Sequence, residues 1–318
     1  MNIGATWGQG PNDHNGNVLG FDKSIVLSGS GELDNGYAWT YGAAYDDDTI
    51  GTNALSTANI TFNLDSMGTV AIKQGTGSKT GAWDDKMPTA WEESWFGVSG
   101  GPDRTGGASS GTNLSWSSPA DMIGYGIKIH ALYNPEVGAA ESGSSSNASS
   151  GVTATGAATE WAIEAAPVDG LTVAAAYSEI EEKGKSTTAA LSDNKEEMVA
   201  FATYAIGSVT LGYGQSYESL GNRSSGVGTV EAYENTMWGV SFSVNDNLTI
   251  SYGEFESEKD MNASASVNVT METEGFSIAY NLGGATVKVA HNELTNVNYL
   301  STTGQTDEVT ALELSLAF

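Results

Sequence analysis

The chain has 318 residues, with 40 glycines, 6 prolines and no cysteine, and its 39 acidic against 12 basic side chains give a net charge of −27. That balance excludes nucleic acid as a partner, because neutralising phosphate takes clustered Lys and Arg. No run of about 18 consecutive apolar residues occurs, which excludes a membrane-spanning helix but not membrane-crossing strands.

In chain order, Ile3, Ala5 and Trp7 share one face of a first extended segment, since alternate strand residues point the same way. Residues 9–20 form a polar, glycine-rich loop, and Ile25 and Leu27 resume the alternation towards Asp34-Asn35-Gly36, a tight-turn signal. Beyond that turn, Tyr37, Trp39, Tyr41, Ala43 and Tyr45 alternate with Ala38, Thr40, Gly42 and Ala44. Asp46-Asp47-Asp48 opens a second loop that ends near Leu55. Ile60, Phe62 and Leu64 then lead to the turn at Asp65–Gly68, after which Val70 and Ile72 oppose Ala71 and Lys73. Here the pattern stops. Residues 76–111 contain Trp83, Trp91, Trp95 and Phe96 with no sustained period of 2 or 3.6, and an insert of this length inside a compact domain is more often functional than not.

Leu114 and Trp116 reopen the alternation, residues 117–124 turn the chain, and Tyr125, Ile127, Ile129, Ala131 and Tyr133 face away from Gly126, Lys128 and His130. A Ser/Gly/Ala loop of low complexity follows over residues 134–159. After Trp161, Ile163 and Ala165 comes a loose repeat, with Leu171-Thr172-Val173, Val209-Thr210-Leu211, Leu248-Thr249-Ile250 and Ala285-Thr286-Val287 each just past a tight turn. For residues 200–206 the repeat selects the register with Ala202 and Tyr204 on the apolar stripe over one led by Val199 and Phe201. The last stretch sets Leu312, Leu314, Leu316 and Phe318 on one face and Ala311, Glu313, Ser315 and Ala317 on the other.

Short turns and long polar loops alternate along the whole chain, about seven of the first and eight of the second. This gives about sixteen strands of roughly the 9–11 residues that cross a bilayer when tilted. Such alternation puts every long loop at one end of an up-and-down sheet. The face opposite the apolar stripe is Gly, Ala, Ser, Thr and Asn with occasional Lys, Glu or His, which makes no dry core but can line water. The expected fold is all-β: one transmembrane antiparallel β-barrel over residues 1–318, in preference to a soluble all-β protein or a surface-layer repeat protein. Tyr37, Tyr125, Tyr204, Phe242, Tyr280 and Phe318 near the short turns, and Tyr45, Tyr133, Tyr177 and Tyr217 near the long loops, fit two aromatic girdles.

A barrel of about sixteen strands leaves an aqueous channel, and the insert is the candidate to narrow it. In a folded-in arrangement Asp84, Asp85, Glu92, Glu93 and Asp103 would face Lys73, Lys128 and Lys288, which alternation points into the lumen. Opposed charges across a constriction create a transverse field that disfavours apolar solutes. The competing reading leaves these acids on an exposed loop, or neutralises them locally with Lys79, Lys86 and Arg104. Trp83, Trp91, Trp95 and Phe96 either pin the insert to the wall or form an aromatic slide for sugars. Enzymatic readings are poor: Glu92 and Glu93 point apart on an extended chain, and His14, His130 and His291 match no zinc spacing. No cofactor is expected, and Asp46, Asp47 and Asp48 are a weak candidate site for a divalent cation at the rim.

Tight turns alternating with long loops, an expanded third long loop carrying Trp95-Phe96-Gly97 and acids, and a last strand ending on Phe318 resemble the trimeric general-diffusion porins of Gram-negative outer membranes. The resemblance implies a homotrimer with residues 46–55 latching a neighbouring subunit, and contact with outer-membrane lipid and lipopolysaccharide. It also implies a mature form after signal-peptide removal and a third loop, residues 76–111, folded inward as an eyelet. The C-terminal strand, with Leu312, Leu314, Leu316 and Phe318, is implied to be read by the assembly machinery. The implied function is passive passage of ions and small hydrophilic solutes, with no enzymatic activity. The chain departs from that family's ladder of several arginines, since its arginines are Arg104 and Arg223, both in loops. Lys73, Lys128 and Lys288 are a thin substitute, so the departure points to a cation-favouring pore. A substrate-specific channel with an aromatic constriction, and a non-conducting surface or adhesion barrel, are the alternatives.

Overall fold

The computed structural model describes residues 2–9, 19–22, 25–45, 55–98, 100–120, 122–137, 155–182, 194–221, 229–262, 267–302 and 305–316. The expected sites at Asp46, Asp47, Asp48 and Phe318 lie outside the described residues. Seventeen strand segments make one sheet. They are β1 (Asn2–Gln9), β2 (Leu19–Asp22), β3 (Ile25–Glu32), β4 (Ala38–Tyr45), β5 (Leu55–Asn63), β6 (Thr69–Gln74), β7 (Thr112–Ser117), β8 (Lys128–Asn134) and β9 (Thr155–Ala165). After these come β10 (Leu171–Glu182), β11 (Lys195–Ile206), β12 (Val209–Ser219), β13 (Thr229–Asn245), β14 (Leu248–Asn262), β15 (Val269–Asn281), β16 (Ala285–Thr295) and β17 (Thr306–Leu316). A short helix, α1 (Thr80–Trp83), lies in the insert.

Each strand from β3 to β17 pairs antiparallel with the next, β17 pairs with β1, and β1 pairs with β2. Counting reversals around this series, β2 and β3 run in the same direction. β2 is bonded to β1 and β3 to β4. The seventeen segments form one up-and-down sheet of the barrel kind, and the first and last strands meet along Asn2↔Ser315 to Gln9↔Glu308.

Residues opposite one another in an antiparallel pair share a face, so the ladders sort every strand into inside and outside. Tyr204 opposite Leu211, and Phe242 opposite Ile250 opposite Ile278, lie outside with Leu312 and Leu314. Tyr204, Leu211 and Leu312 are exposed although large and apolar. Val199 and Phe201 point inward, as the repeat indicates. In a soluble protein this much apolar surface would be a liability, whereas a belt around a barrel meets lipid. On the inner face Ser28, Ser30 and Glu32 of β3 are exposed as well, so no packed interior covers that half.

Two features differ from the sequence pattern. β8 starts at Lys128, because Gly124, Tyr125 and Gly126 take φ of 91°, 55° and 65°, a left-handed run that a strand cannot contain; Tyr125 and Ile127 belong to the turn. The later strands also run past the length needed to cross a bilayer, up to 17 residues in β13. Their extra turns of pleat carry outward-facing carboxylates opposite one another: Glu254 and Glu274, Glu256 and Glu272, Glu274 and Glu293. Charged rows of this kind belong outside hydrocarbon and mark one edge of the apolar belt.

Candidate functional site

The insert leaves the wall after β6 and returns at β7, its base closed by the Gly75 N–H donating to the Gly111 carbonyl at 3.1 Å. Between these points it lies inside the barrel. Its first limb is held by Glu160 on β9, which is 2% exposed. The Glu160 carboxylate accepts the Lys79 N–H at 2.5 Å, the Thr80 N–H at 3.2 Å, the Thr80 hydroxyl at 2.7 Å and the Ser78 hydroxyl. A buried carboxylate is costly unless its lone pairs are filled, and here they are filled by the insert itself. Glu197 on β11 does the same for the returning limb, accepting the Gly106 N–H at 3.2 Å and the Gly107 N–H at 2.6 Å. Ser178 donates to Glu197 at 3.1 Å, and Lys195 pairs with both Glu197, at 2.8 Å, and Glu218. Glu160, Ser178, Glu197 and Glu218 form one inward row across four strands, a shelf for the insert.

Farther on, the insert crosses β14, β15 and β16. The Ala90 N–H donates to Ser251 Oγ at 2.8 Å, the Ser94 and Thr273 hydroxyls are 2.6 Å apart, and Asn292 Nδ2 donates to the Phe96 carbonyl at 2.8 Å. Wall glycines make room for this backbone. A Cβ on Gly212 would stand 2.3 Å from Pro88 Cδ, and one on Gly275 would stand 2.6 Å from Ser94 Cα. On the way back the Asp103 N–H donates to Tyr299 Oη at 2.7 Å, and Asn134 Nδ2 holds the Ala108 and Ser110 carbonyls at 2.9 and 2.8 Å. The insert thus follows the inner wall from β8 to β17, where a Cβ on Gly97 would stand 2.9 Å from Val309, and the polar face of β3 stands open to water.

Of the expected aromatics, Trp83 is buried against Phe201 and His130, with ring centroids 5.8 and 6.0 Å away, in a cluster with Ala162, Ala174, Ala176 and Val199. Trp95 packs edge-on against Phe255 at 4.7 Å, with the Arg104 guanidinium 4.9 Å from its ring. Trp91 packs on Phe96 at 5.3 Å, and Lys288 Nζ lies 5.8 Å from its ring.

The charges do not form two facing ranks. Lys128 pairs with Glu164 at 3.0 Å and Lys288 with Glu313 at 2.8 Å, both partners being neighbours on the wall. Lys73 lies under the base of the insert, its Cδ within 2.9 Å of where a Cβ on Gly77 would stand. Within the insert Arg104 approaches Asp84 at 3.5 Å, and Lys86 lies 3.9 Å from Asp85. Asp84 is pushed up to about 7 by burial, which outweighs the lowering by Arg104 and is helped by Asp85 and Glu93. Glu92 is pushed up to about 7 by burial together with Glu93 and Glu313, against Lys288. Burial raises Glu93 as well. Asp84, Asp85 and Glu93 are therefore one coupled group, Glu92 sits between that group and the Lys288–Glu313 pair, and Asp103 is exposed on the returning limb. Among the described residues no group of three or more His, Cys, Asp or Glu side chains converges to hold a metal.

The wall carboxylates Glu160 and Glu197 escaped the sequence reading. The signal was present, because Trp161 and Ile163 facing out oblige Glu160 to face in. What alternation could not tell is that a carboxylate there accepts backbone N–H groups from a segment eighty residues away.

No family model and no curated protein matches the chain. Solved structures do. OmpT, an outer membrane protein of Vibrio cholerae, superposes with a TM-score of 0.68 at 12% identity, covering 99% of this chain and 94% of that one. An anion-selective porin from Comamonas acidovorans gives 0.68 at 13%, covering 100% and 96%. OmpF of Salmonella typhi, in complex with daunomycin, gives 0.68 at 14%, also covering 100% and 96%. The fold is that of the outer-membrane porin barrels.

Proposed function

We propose that the protein is a passive, water-filled channel of the Gram-negative outer membrane that passes ions and small hydrophilic solutes with a preference for cations, working as a homotrimer and not as an enzyme. The observation that supports this most is the insert latched inside the barrel along the wall from β8 to β17 while the small polar face of β3 remains exposed. That arrangement narrows a lumen without plugging it. An anion-selective porin shares the fold, so ion preference follows from each chain's own charges rather than from the barrel. Here Lys128, Lys195 and Lys288 pair with wall acids, and the insert adds Asp84, Asp85, Glu92, Glu93 and Asp103 against Lys79, Lys86 and Arg104. Planar-bilayer recording of the purified protein should show stepwise conductance and a reversal potential on the cation side. A consistently anion-selective current would overturn the charge argument, and absence of any step would overturn the channel.

A further inference from the structure

Two buried oxygen atoms on the inner wall have no donor among the described residues: Glu218 Oε2 on β12 and Asn235 Oδ1 on β13, each residue being 3% exposed. A buried acceptor is costly without a positive partner. Their neighbours fix both orientations. Lys195 takes Glu218 Oε1, which leaves Oε2 to another partner. Asn235 Nδ2 donates to Ser216 Oγ at 2.9 Å and to the Asp103 carbonyl at 3.1 Å, and since a carbonyl cannot donate in return, the amide cannot be turned round. Glu218 stands opposite Tyr233 and Ser216 opposite Asn235, so the two orphaned side chains are one inward step apart on the same strand pair.

The returning limb of the insert passes over this strand pair. Asp103 is fixed there by its N–H on Tyr299 Oη and its carbonyl on Asn235, and its carboxylate lies against the Tyr233 hydroxyl and close enough to Glu218 for the two charges to act on each other. Lys195 is shared by Glu197 and Glu218, so Asp103 makes the group negative by more than that lysine offsets. Neither orphaned oxygen has surface that a water can reach. A water would stand about 2.8 Å from such an oxygen, whereas a bare calcium ion sits at about 2.3–2.6 Å and takes about 6–8 oxygens in a flexible shell. The closer-seated partner is the one that fits, and on the exposed side of Asp103 the lumen supplies water to complete its shell.

We propose that Glu218, Asn235 and Asp103 form a binding site for a hard divalent cation of the calcium kind, which staples the returning limb of the insert to β12 and β13. The probes are calcium and terbium, a lanthanide that takes calcium sites and emits when a nearby tyrosine is excited; Tyr233, opposite Glu218, is the antenna. The full chain in detergent, at physiological salt, should show saturable terbium emission that calcium competes away. Calcium should also slow cleavage by trypsin after Arg104, next to Asp103, and a chelator should restore it. Glu218→Gln should weaken binding by about tenfold or more, because calcium affinity follows the number of charged ligands. Asp103→Asn should do the same while keeping the backbone bonds to Tyr299 and Asn235, so the test survives if loss of the Lys195 pair unfolds the first variant. Emission that saturates alike in the parent and both variants would mean that surface acids alone bind the ion, and would overturn the proposal. Binding that emerges only in Arg223→Ala would overturn it too, the partner then being the chain's own guanidinium five positions beyond Glu218. So would absence of binding at millimolar calcium with trypsin cleavage that slows on acidification instead, the partner then being a proton on Glu218.

Discussion

Cation preference should depend on pH with a midpoint near 7, well above the ordinary carboxylate range. Asp84 and Glu92 are each pushed up to about 7, first by burial and then by neighbouring acids. Between pH 5 and pH 9 both pass from protonated to ionised and add two negative charges to the insert. An ion passing about 8 Å away feels roughly 0.5 kcal/mol per charge at the permittivity of water, so the pair supplies about 1 kcal/mol, reduced by screening at physiological salt. The permeability ratio should therefore rise about two- to fivefold across that range. Stability moves the other way. The folded insert binds more protons than the unfolded chain between the two pKa values, so its latching is strongest below about pH 4 and weakens as pH rises to about 7. Moving Asp84 from 3.8 to about 7 amounts to on the order of 4 kcal/mol of local free energy. Reversal potentials under a salt gradient at stepped pH test this, with Asp84→Asn plus Glu92→Gln as the reference, in which the step should be much reduced and only the contribution of Glu93 kept. A parent curve with its midpoint near 4, or the same curve in the double variant, would refute the assignment.

Two further outcomes follow from the latches. Glu160→Ala leaves the Lys79 and Thr80 N–H groups without their acceptor and should cost the insert about 3–6 kcal/mol, at about 1.5–3 kcal/mol for each hydrogen bond to a charged group. The barrel ladders are untouched, so folded protein should be recovered with larger, noisier conductance and new protease cleavage within residues 76–111; unchanged protease resistance would sink the latch. Gly275→Val drives a side chain into Ser94 and should displace the insert and lower thermal stability by about 1–3 kcal/mol of overpacking, while Gly29→Val, which meets nothing within 4 Å, should be silent. Equal melting temperatures for the two variants would mean that the insert does not press on β15.

The barrel was legible because its determinants are local. Period-2 alternation, Asp34-Asn35-Gly36 and its fellow turns, and the unequal connections each occupy fewer than about a dozen residues, and a closed up-and-down sheet follows from repeating them. Even the ambiguous register at 200–206 resolved through the repeat, with Tyr204 outside and Phe201 inside against Trp83. The site was legible only in part, because its determinants are distant. That residues 76–111 break the pattern shows from the sequence, but nothing in the insert encodes that its backbone N–H groups end on Glu160 and Glu197, or that Lys128 and Lys288 pair with Glu164 and Glu313 across neighbouring strands.

Those wall pairs bear directly on how the lumen can select. A lysine facing an acid across open water contributes to a transverse field, whereas a lysine hydrogen-bonded to an acid on the adjacent strand cancels most of its own charge at a few ångströms. Lys128–Glu164 and Lys288–Glu313 are of the second kind, so the lumen field arises mainly from whichever carboxylates remain unmatched. On the insert these are Glu92, Glu93 and Asp103, together with Asp84, which Arg104 offsets only in part; Asp85 has Lys86. Because burial holds Glu92 and Glu93 towards their protonated forms, and Asp103 is the exposed member, ion preference becomes a graded function of proton concentration rather than a fixed property of the barrel.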